Sequence, residues 1–271
     1  MKVFEIRDES ERTGKEDFLV GFLFYYERKK RFQVELLGAV DEWTSPFVFS
    51  KAVSEGTLSF GPPLSESFVR QRIIPPDRQN LGSILKANGL PEYDEYRLLA
   101  LSEGRCAQDD LHLVRTKPDS LPDEILDRLD EKVKEFIPLE NNRLLVFFRD
   151  QKTVKCDMNK ILGGRREFAR VLSSAEIFGN ARLSPGGNGV EWGEELIVPA
   201  EKLRMHGSEA DVDLDAMISF AQKRLADTTG IASLLSCSRQ YIGQLVREGR
   251  LHPIKEGGNN TLFLKSEVEA M

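Results

Sequence analysis

The chain has 271 residues, of which 40% are hydrophobic and 30% charged, and its formal net charge is −6. That length exceeds one ordinary domain, and the composition excludes a disordered or low-complexity chain. The acidic balance excludes a protein that coats nucleic acid over its whole surface, while leaving room for a basic face on one domain.

No apolar run approaches the roughly 20 residues that span a bilayer. The N-terminal stretch MKVFEIRDESERTGKEDF is charged throughout and lacks the apolar core of a signal peptide. Cys106, Cys156 and Cys237 are scattered and odd in number, which is no disulfide framework. His112, His206 and His252 have no metal-ligand spacing to a cysteine. A cytoplasmic protein without membrane contact, metal or cofactor is expected.

Three units and two connectors follow in order. In the first unit, 1–117, FLVGFLFYY and RFQVELL are two expected strands joined by the polar turn ERKK. DRQNLGSILKANGL is a short helix with Leu81, Ile84 and Leu85 on one side and a stop at Asn88-Gly89. EYDEYRLLALSEG repeats the pattern and stops at Gly104. The polar residues Arg72, Asp77, Arg78, Gln79, Asn80, Asp94, Arg105, Gln108, Asp109 and Asp110 are either the lining of a pocket for a charged ligand or salt bridges and caps among short helices. The pair Asp109-Asp110 also raises divalent-metal chemistry of the nuclease type.

The first connector, 118–139, is expected to be one amphipathic helix, with Pro122 near its start and Ile125, Leu129, Val133 and Phe136 as its stripe. In the second unit, 140–206, RLLVFF and TVKCDM are paired strands and REFARVL a short helix. EIFGNARL and GVEW form a second expected hairpin around SPGGN, and PAEKL is a helical turn. This order resembles the small bacterial family catalogued as domain of unknown function 2442. Asp157, Phe168, Phe178, Trp192, Glu194 and Glu195 stand at the corresponding places. The family's usual turn glycine is absent, Gln151-Lys152 taking that position, and Glu194-Glu195 stand where an aspartate is usual. The resemblance implies a compact α+β fold and no activity. Members paired with a helix-turn-helix, or encoded beside small toxin-like proteins, imply a regulatory or antitoxin role.

The second connector, 207–226, is acidic (Glu209, Asp211, Asp213, Asp215) and helical, with Leu214, Met217, Ile218, Ala221 and Leu225 as its apolar stripe. The acids suit the positive end of the helix dipole.

The third unit, 227–271, carries the function. Thr228 or Thr229 is the expected cap of a first helix running to Leu235, Ser236-Cys237 the tight turn, and Ser238 the cap of a second helix ending before Gly249. At about 100° per residue, Arg239, Gln240, Gly243, Gln244 and Arg247 fall on one arc of that second helix, and Tyr241, Ile242, Leu245 and Val246 on the other. Arginine and glutamine side chains read guanine and adenine edges or hold phosphates. Over 221–271 there are seven Lys/Arg against five Asp/Glu, a surplus of two positive charges in an acidic chain.

These residues resemble the helix-turn-helix pattern, with Ala232 at the helix crossing and Ile231, Leu235, Ile242 and Leu245 on the buried sides. The turn glycine usual in that pattern is replaced by Ser236. The continuation resembles the excisionase and MerR-like winged branch, with strands LHPIK and TLFLK around Glu256-Gly257-Gly258-Asn259-Asn260 and a capping box of Ser266 and Glu269. The expected fold class is therefore α+β and multidomain: two small α+β units followed by a C-terminal winged helix-turn-helix. The resemblance implies double-stranded DNA as partner. Arg239, Gln240 and Gln244 are the candidates for base edges; Ser238, Arg247, Arg250 and Lys255 for phosphates; and Asn259 and Asn260 for the wing tip. Tyr241 is read first as core and second as a phosphate contact.

A dimeric, non-enzymatic transcriptional regulator is the leading expectation, its front units binding a small ligand or protein partner. An antitoxin-like or phage-defence accessory protein comes second, and a metal-dependent nuclease third. An αα-hairpin and β-hairpin used only for protein contacts is the competing reading of the third unit.

Overall fold

The computed structural model describes residues 1–10, 17–193, 196–255, 257 and 261–270. The protein is mixed α+β with several small antiparallel sheets. It divides into two compact units, Met1–Asp127 and Arg128–Met271. Among the described residues no helix is long and apolar enough to cross a membrane.

The first unit is built on β1 (Lys2–Asp8), β2 (Phe18–Tyr26) and β3 (Arg31–Leu36), followed by α1 (Ser50–Ser54), β4 (Ser59–Phe60), α2 (Pro62–Arg70), α3 (Leu81–Ala87), α4 (Glu95–Leu101) and β5 (Leu111–Thr116). Its sheet has the order β4-β3-β2-β1-β5. The continuous apolar run of β2 makes it the central strand, because both its faces are buried. Phe4, Ile6, Leu23, Tyr25, Phe32 and Val34 pack with Phe49, Phe68, Leu98 and Leu99 in one core. The strands β1 and β5, which the sequence reading does not assign, complete the sheet on its far side. The stops at Gly89 and Gly104 lie where expected, both at positive φ.

The helix expected over 118–139 is two elements. Helix α5 (Asp123–Asp130) ends at Asp130, and β6 (Val133–Leu139) is an edge strand of the second unit. Val133 and Phe136 satisfy a helical stripe by spacing, yet they are buried in the second unit's core.

That core is framed by β6, β7 (Arg143–Phe148) and β8 (Thr153–Asp157), an antiparallel meander. Helices α6 (Met158–Leu162), α7 (Ala169–Ser173) and α8 (Ala175–Gly179) follow. Residues 176–179, expected as strand, are helical, the Ser174 side chain capping the helix by accepting from the Ile177 amide. The second hairpin is shorter than expected, β9 (Arg182–Leu183) with β10 (Gly189–Glu191), joined by β11 (Ile197–Pro199). Helix α9 (Ala200–His206) and β12 (Ser208–Glu209), which pairs with β8, close this part.

The chain continues through α10 (Leu214–Arg224), β13 (Leu225–Asp227), α11 (Thr228–Leu234), α12 (Arg239–Arg247), β14 (Pro253–Lys255), β15 (Leu262–Leu264) and α13 (Lys265–Glu269). The last sheet has the order β13-β15-β14. The end of the expected acidic connector therefore belongs to it as a strand.

Helix α10 buries a different stripe from the one its sequence advertises. Ala216 is buried and Phe220 half-buried, packed with Ile137 and Leu145 of the sheet. Leu214, Met217, Ile218 and Ala221 face outward.

Candidate nucleic-acid interface

Helix α11 is capped by Asp227, whose carboxylate accepts from the Gly230 amide at 2.8 Å, rather than by Thr228 or Thr229. Aspartate one residue earlier does the same work as a threonine, and adds a favourable charge at the helix's positive end. The turn to α12 passes through Ser236 at φ +50°, the left-handed conformation that glycine would adopt more cheaply. Ser238 caps α12, its hydroxyl accepting from the Tyr241 amide at 3.2 Å. The helix ends in a Schellman arrangement around Gly249 at φ +65°, with the Arg250 amide on the Leu245 carbonyl and the Gly249 amide on Val246.

Ile242 and Leu245 of α12 are buried with Ile231 and Ala232 of α11, Leu251, Phe263 and Val268. Ser238, Arg239, Gln240, Gly243, Gln244, Arg247, Arg250 and Lys255 are all exposed. The two arcs read from the sequence are thus one docked and one free. Tyr241 corrects that division: it is 38% exposed and lies at the edge of the free side, not in the core. Asn259 and Asn260 lie outside the described residues.

Several side chains of the free face are engaged locally. The Gln244 amide donates to Glu248 at 2.7 Å, and Arg250 reaches the other oxygen of Glu248 at 3.3 Å. These contacts, the Gln244 hydrogen bond above all, hold the Glu248 carboxyl below its ordinary range. Arg247 Nε folds back to the Gly243 carbonyl at 3.2 Å. A β-carbon added at Gly243 would meet nothing within 4 Å. The free face is therefore open at its centre.

The capping box expected from Ser266 and Glu269 is absent. Leu264 is the N-cap of α13, and Ser266 and Glu269 are buried. Glu269 turns inward to Arg224 at the end of α10, Oε2 to Nη2 at 2.7 Å, and accepts from the Leu183 amide at 2.9 Å. Arg224 Nε donates to Glu135 of β6 at 2.7 Å, and the guanidinium lies 4.3 Å from the Phe136 ring centre. Only 3% of Arg224 is exposed. This buried triad ties α10 and α13 to the β6 edge. Burial pushes the Glu135 carboxyl up, against the downward pull of Arg224. No local pattern marks the triad, whose members are 89 and 45 residues apart.

The polar cluster of the first unit resolves into pairs. Arg72 is buried, paired with Asp109 and 3.8 Å from the Phe68 ring centre. Arg105 holds Glu9 with two 2.9 Å hydrogen bonds. Asp94 caps α4, and Arg78 donates to Asn80 at 3.1 Å. Asp77, Gln79, Gln108 and Asp110 are exposed. Among the described residues, no group of three or more His, Cys, Asp or Glu side chains is placed to hold a metal ion.

In the stretch resembling domain of unknown function 2442, Asp157 caps α6, and Phe168, Phe178 and Trp192 are core. The Trp192 indole donates to the Phe178 carbonyl at 2.9 Å. Glu194 and Glu195 lie outside the described residues. Asp157, Phe168, Phe178 and Trp192 hold the fold together.

Fold and site together define a mixed α+β protein whose C-terminal helix pair presents an exposed Arg/Gln face. Comparison of the chain with known protein families, curated proteins and solved structures found no match.

Proposed function

We propose that the protein is a sequence-specific double-stranded-DNA-binding regulator whose C-terminal module is a winged helix-turn-helix. The observation that carries this reading is α12 itself: Ile242 and Leu245 are docked on α11, while Arg239, Gln240, Gln244 and Arg247 are exposed to solvent around the open position of Gly243. The sharp turn at Ser236 and the β14-β15 hairpin beside α12 support the same reading. Helix α12 enters the major groove; Arg239, Gln240 and Gln244 meet base edges, and Ser238, Arg247, Arg250 and Lys255 hold phosphates. Gln244 exchanges its bond to Glu248 for a base on binding. A lone module with about four phosphate contacts binds weakly at physiological salt, so the protein acts as a homodimer on two half-sites.

Selection of bound sequences from random DNA by the purified protein tests the reading: a two-fold-symmetric site is expected, and recovery of unrelated sequences defeats it. On that site Arg239→Ala should cost about 1–3 kcal/mol and relax the sequence preference. Arg250→Ala should weaken binding to every sequence alike and lower the salt slope by about one. Equal, sequence-blind losses from both would remove the base-reading role of Arg239.

Gly243→Ala separates folding from contact. An exposed helix-interior alanine is worth about 0.5–1 kcal/mol over glycine, so the variant should melt higher. The same methyl group stands in the centre of the face that meets DNA, and affinity should fall by about tenfold, near 1.4 kcal/mol. Higher stability with undiminished DNA affinity would show that the helix does not approach DNA on this side.

A further inference from the structure

Strand β5 is an outer strand of the first unit's sheet and pairs with β1 alone. In an antiparallel ladder the backbone groups of alternate residues point to the partner strand and those between point away. The Leu113 amide donates to the Glu103 carbonyl at 2.7 Å, so Leu113 belongs to the outward set. Arg115, two residues on, belongs to it as well. Among the described residues the Arg115 amide and carbonyl have no partner. Lys117 continues the extended backbone, at φ −103° and ψ 151°. The turn at Glu103 thus covers one end of this edge and leaves the Arg115 end bare.

A groove of about 710 Å³ opens at the bare end, lined among others by Lys2, Val3, Arg115, Thr116, Lys117 and Ser120. No acidic side chain of the described residues lines it. Lys2 is held by Glu27 at 3.4 Å. Arg115 and Lys117 are exposed and form no ion pair among the described residues. In an acidic chain this is a concave site with two uncompensated cations and an unused row of backbone donors and acceptors.

We propose that this edge takes up an extended acidic segment of a partner protein, which adds a strand to the sheet beside β5. Cations on an edge strand repel further strands in general, and the same cations attract one that carries carboxylates. The backbone selects a peptide over a nucleic acid. The outward carbonyls of Leu113 and Arg115 repel phosphate oxygens, whereas the amides of a peptide satisfy them. The two faces of β5 set the pattern of the incoming strand. Arg115 and Lys117 stand on one face by alternation, and Val114, 40% exposed, on the other. The segment therefore alternates acidic with apolar residues, its main chain supplying affinity and its side chains specificity. The site lies wholly in the first unit and does not depend on the DNA-binding reading.

Fluorescence anisotropy of a labelled peptide of alternating Asp and Val, titrated with the full chain, tests the proposal. Saturable binding that weakens as salt rises is expected. A peptide of the same composition with its Asp and Val in two blocks should bind far more weakly. Arg115→Glu combined with Lys117→Glu should reduce affinity by at least about tenfold, with unchanged circular dichroism, since both side chains are exposed. The peptide backbone gives a readout that leaves the protein untouched. Two peptides, one N-methylated at every Asp and one at every Val, should differ sharply, because only one set of amides faces β5. Equal binding of the two would show that no strand is added and would overturn the proposal. Absence of binding by the alternating peptide overturns it too, leaving a solvated edge. So does a double variant that keeps the peptide but loses labelled duplex DNA, which would make this a nucleic-acid surface.

Discussion

Arg224→Ala is expected to destabilise the second unit by about 3–5 kcal/mol, because removing one member of a buried ion cluster leaves the others charged and uncompensated. Glu135 and Glu269 would then face each other's neighbourhood without the guanidinium that both now bind. Denaturant unfolding followed by tryptophan fluorescence reads this directly, since Trp192 is in the same unit. The loss should depend on pH in a defined direction. Burial raises the Glu135 carboxyl in the folded state. Stability from such a group is present below its unfolded value and is lost as pH rises through the folded one. Without Arg224 the folded value rises further, so the penalty should be greatest near pH 8 and shrink toward about pH 5. A pH-independent penalty would mean that lost packing on Phe136, and not charge, is the cause. Replacing all three residues together, as Arg224→Met, Glu135→Leu and Glu269→Leu, should recover most of the stability. Apolar substitutes for a buried ion cluster are commonly neutral or better by about 1–4 kcal/mol.

Leu245→Ala is expected to cost about 2–5 kcal/mol, the range for emptying a buried leucine site. Leu245 is completely buried at the meeting of α11, α12, β15 and α13. Among the described residues that core has seven buried apolar residues, Ile231, Ala232, Ile242, Leu245, Leu251, Phe263 and Val268, so one vacancy removes a large share of it. Because Arg224 and Glu269 join the module to β6, the two predictions bear on each other. If the module unfolds with the rest of the unit, Leu245→Ala should shift the whole transition seen by Trp192. If it melts alone, the DNA binding we propose should vanish at temperatures where the tryptophan signal is still native. A Leu245→Ala protein with unchanged stability would mean that α12 is not seated on this core.

Some of this was determined by the sequence alone, and the reason is local. The two arcs of α12 follow from helical geometry within eleven residues, and Ser238 and Gly249 mark its ends by backbone chemistry that needs no distant partner. The same holds for β2 and β3, whose apolar runs are broken by a polar turn, and for the stops at Gly89 and Gly104. Which face of a segment is covered, and by what, is not a local property. The stripe Leu214-Met217-Ile218 is the more apolar side of α10, yet the sheet takes the side with Ala216 and Phe220, where a small residue permits close approach. Val133 and Phe136 fit a helical stripe, but the neighbouring strand β7 claims them as strand partners. Ser266 and Glu269 have the spacing of a capping box, and a buried arginine 45 residues earlier outcompetes the helix end for the carboxylate. Periodicity names the residues that can be buried; only the tertiary structure supplies the surface that buries them and the charge that must be neutralised there.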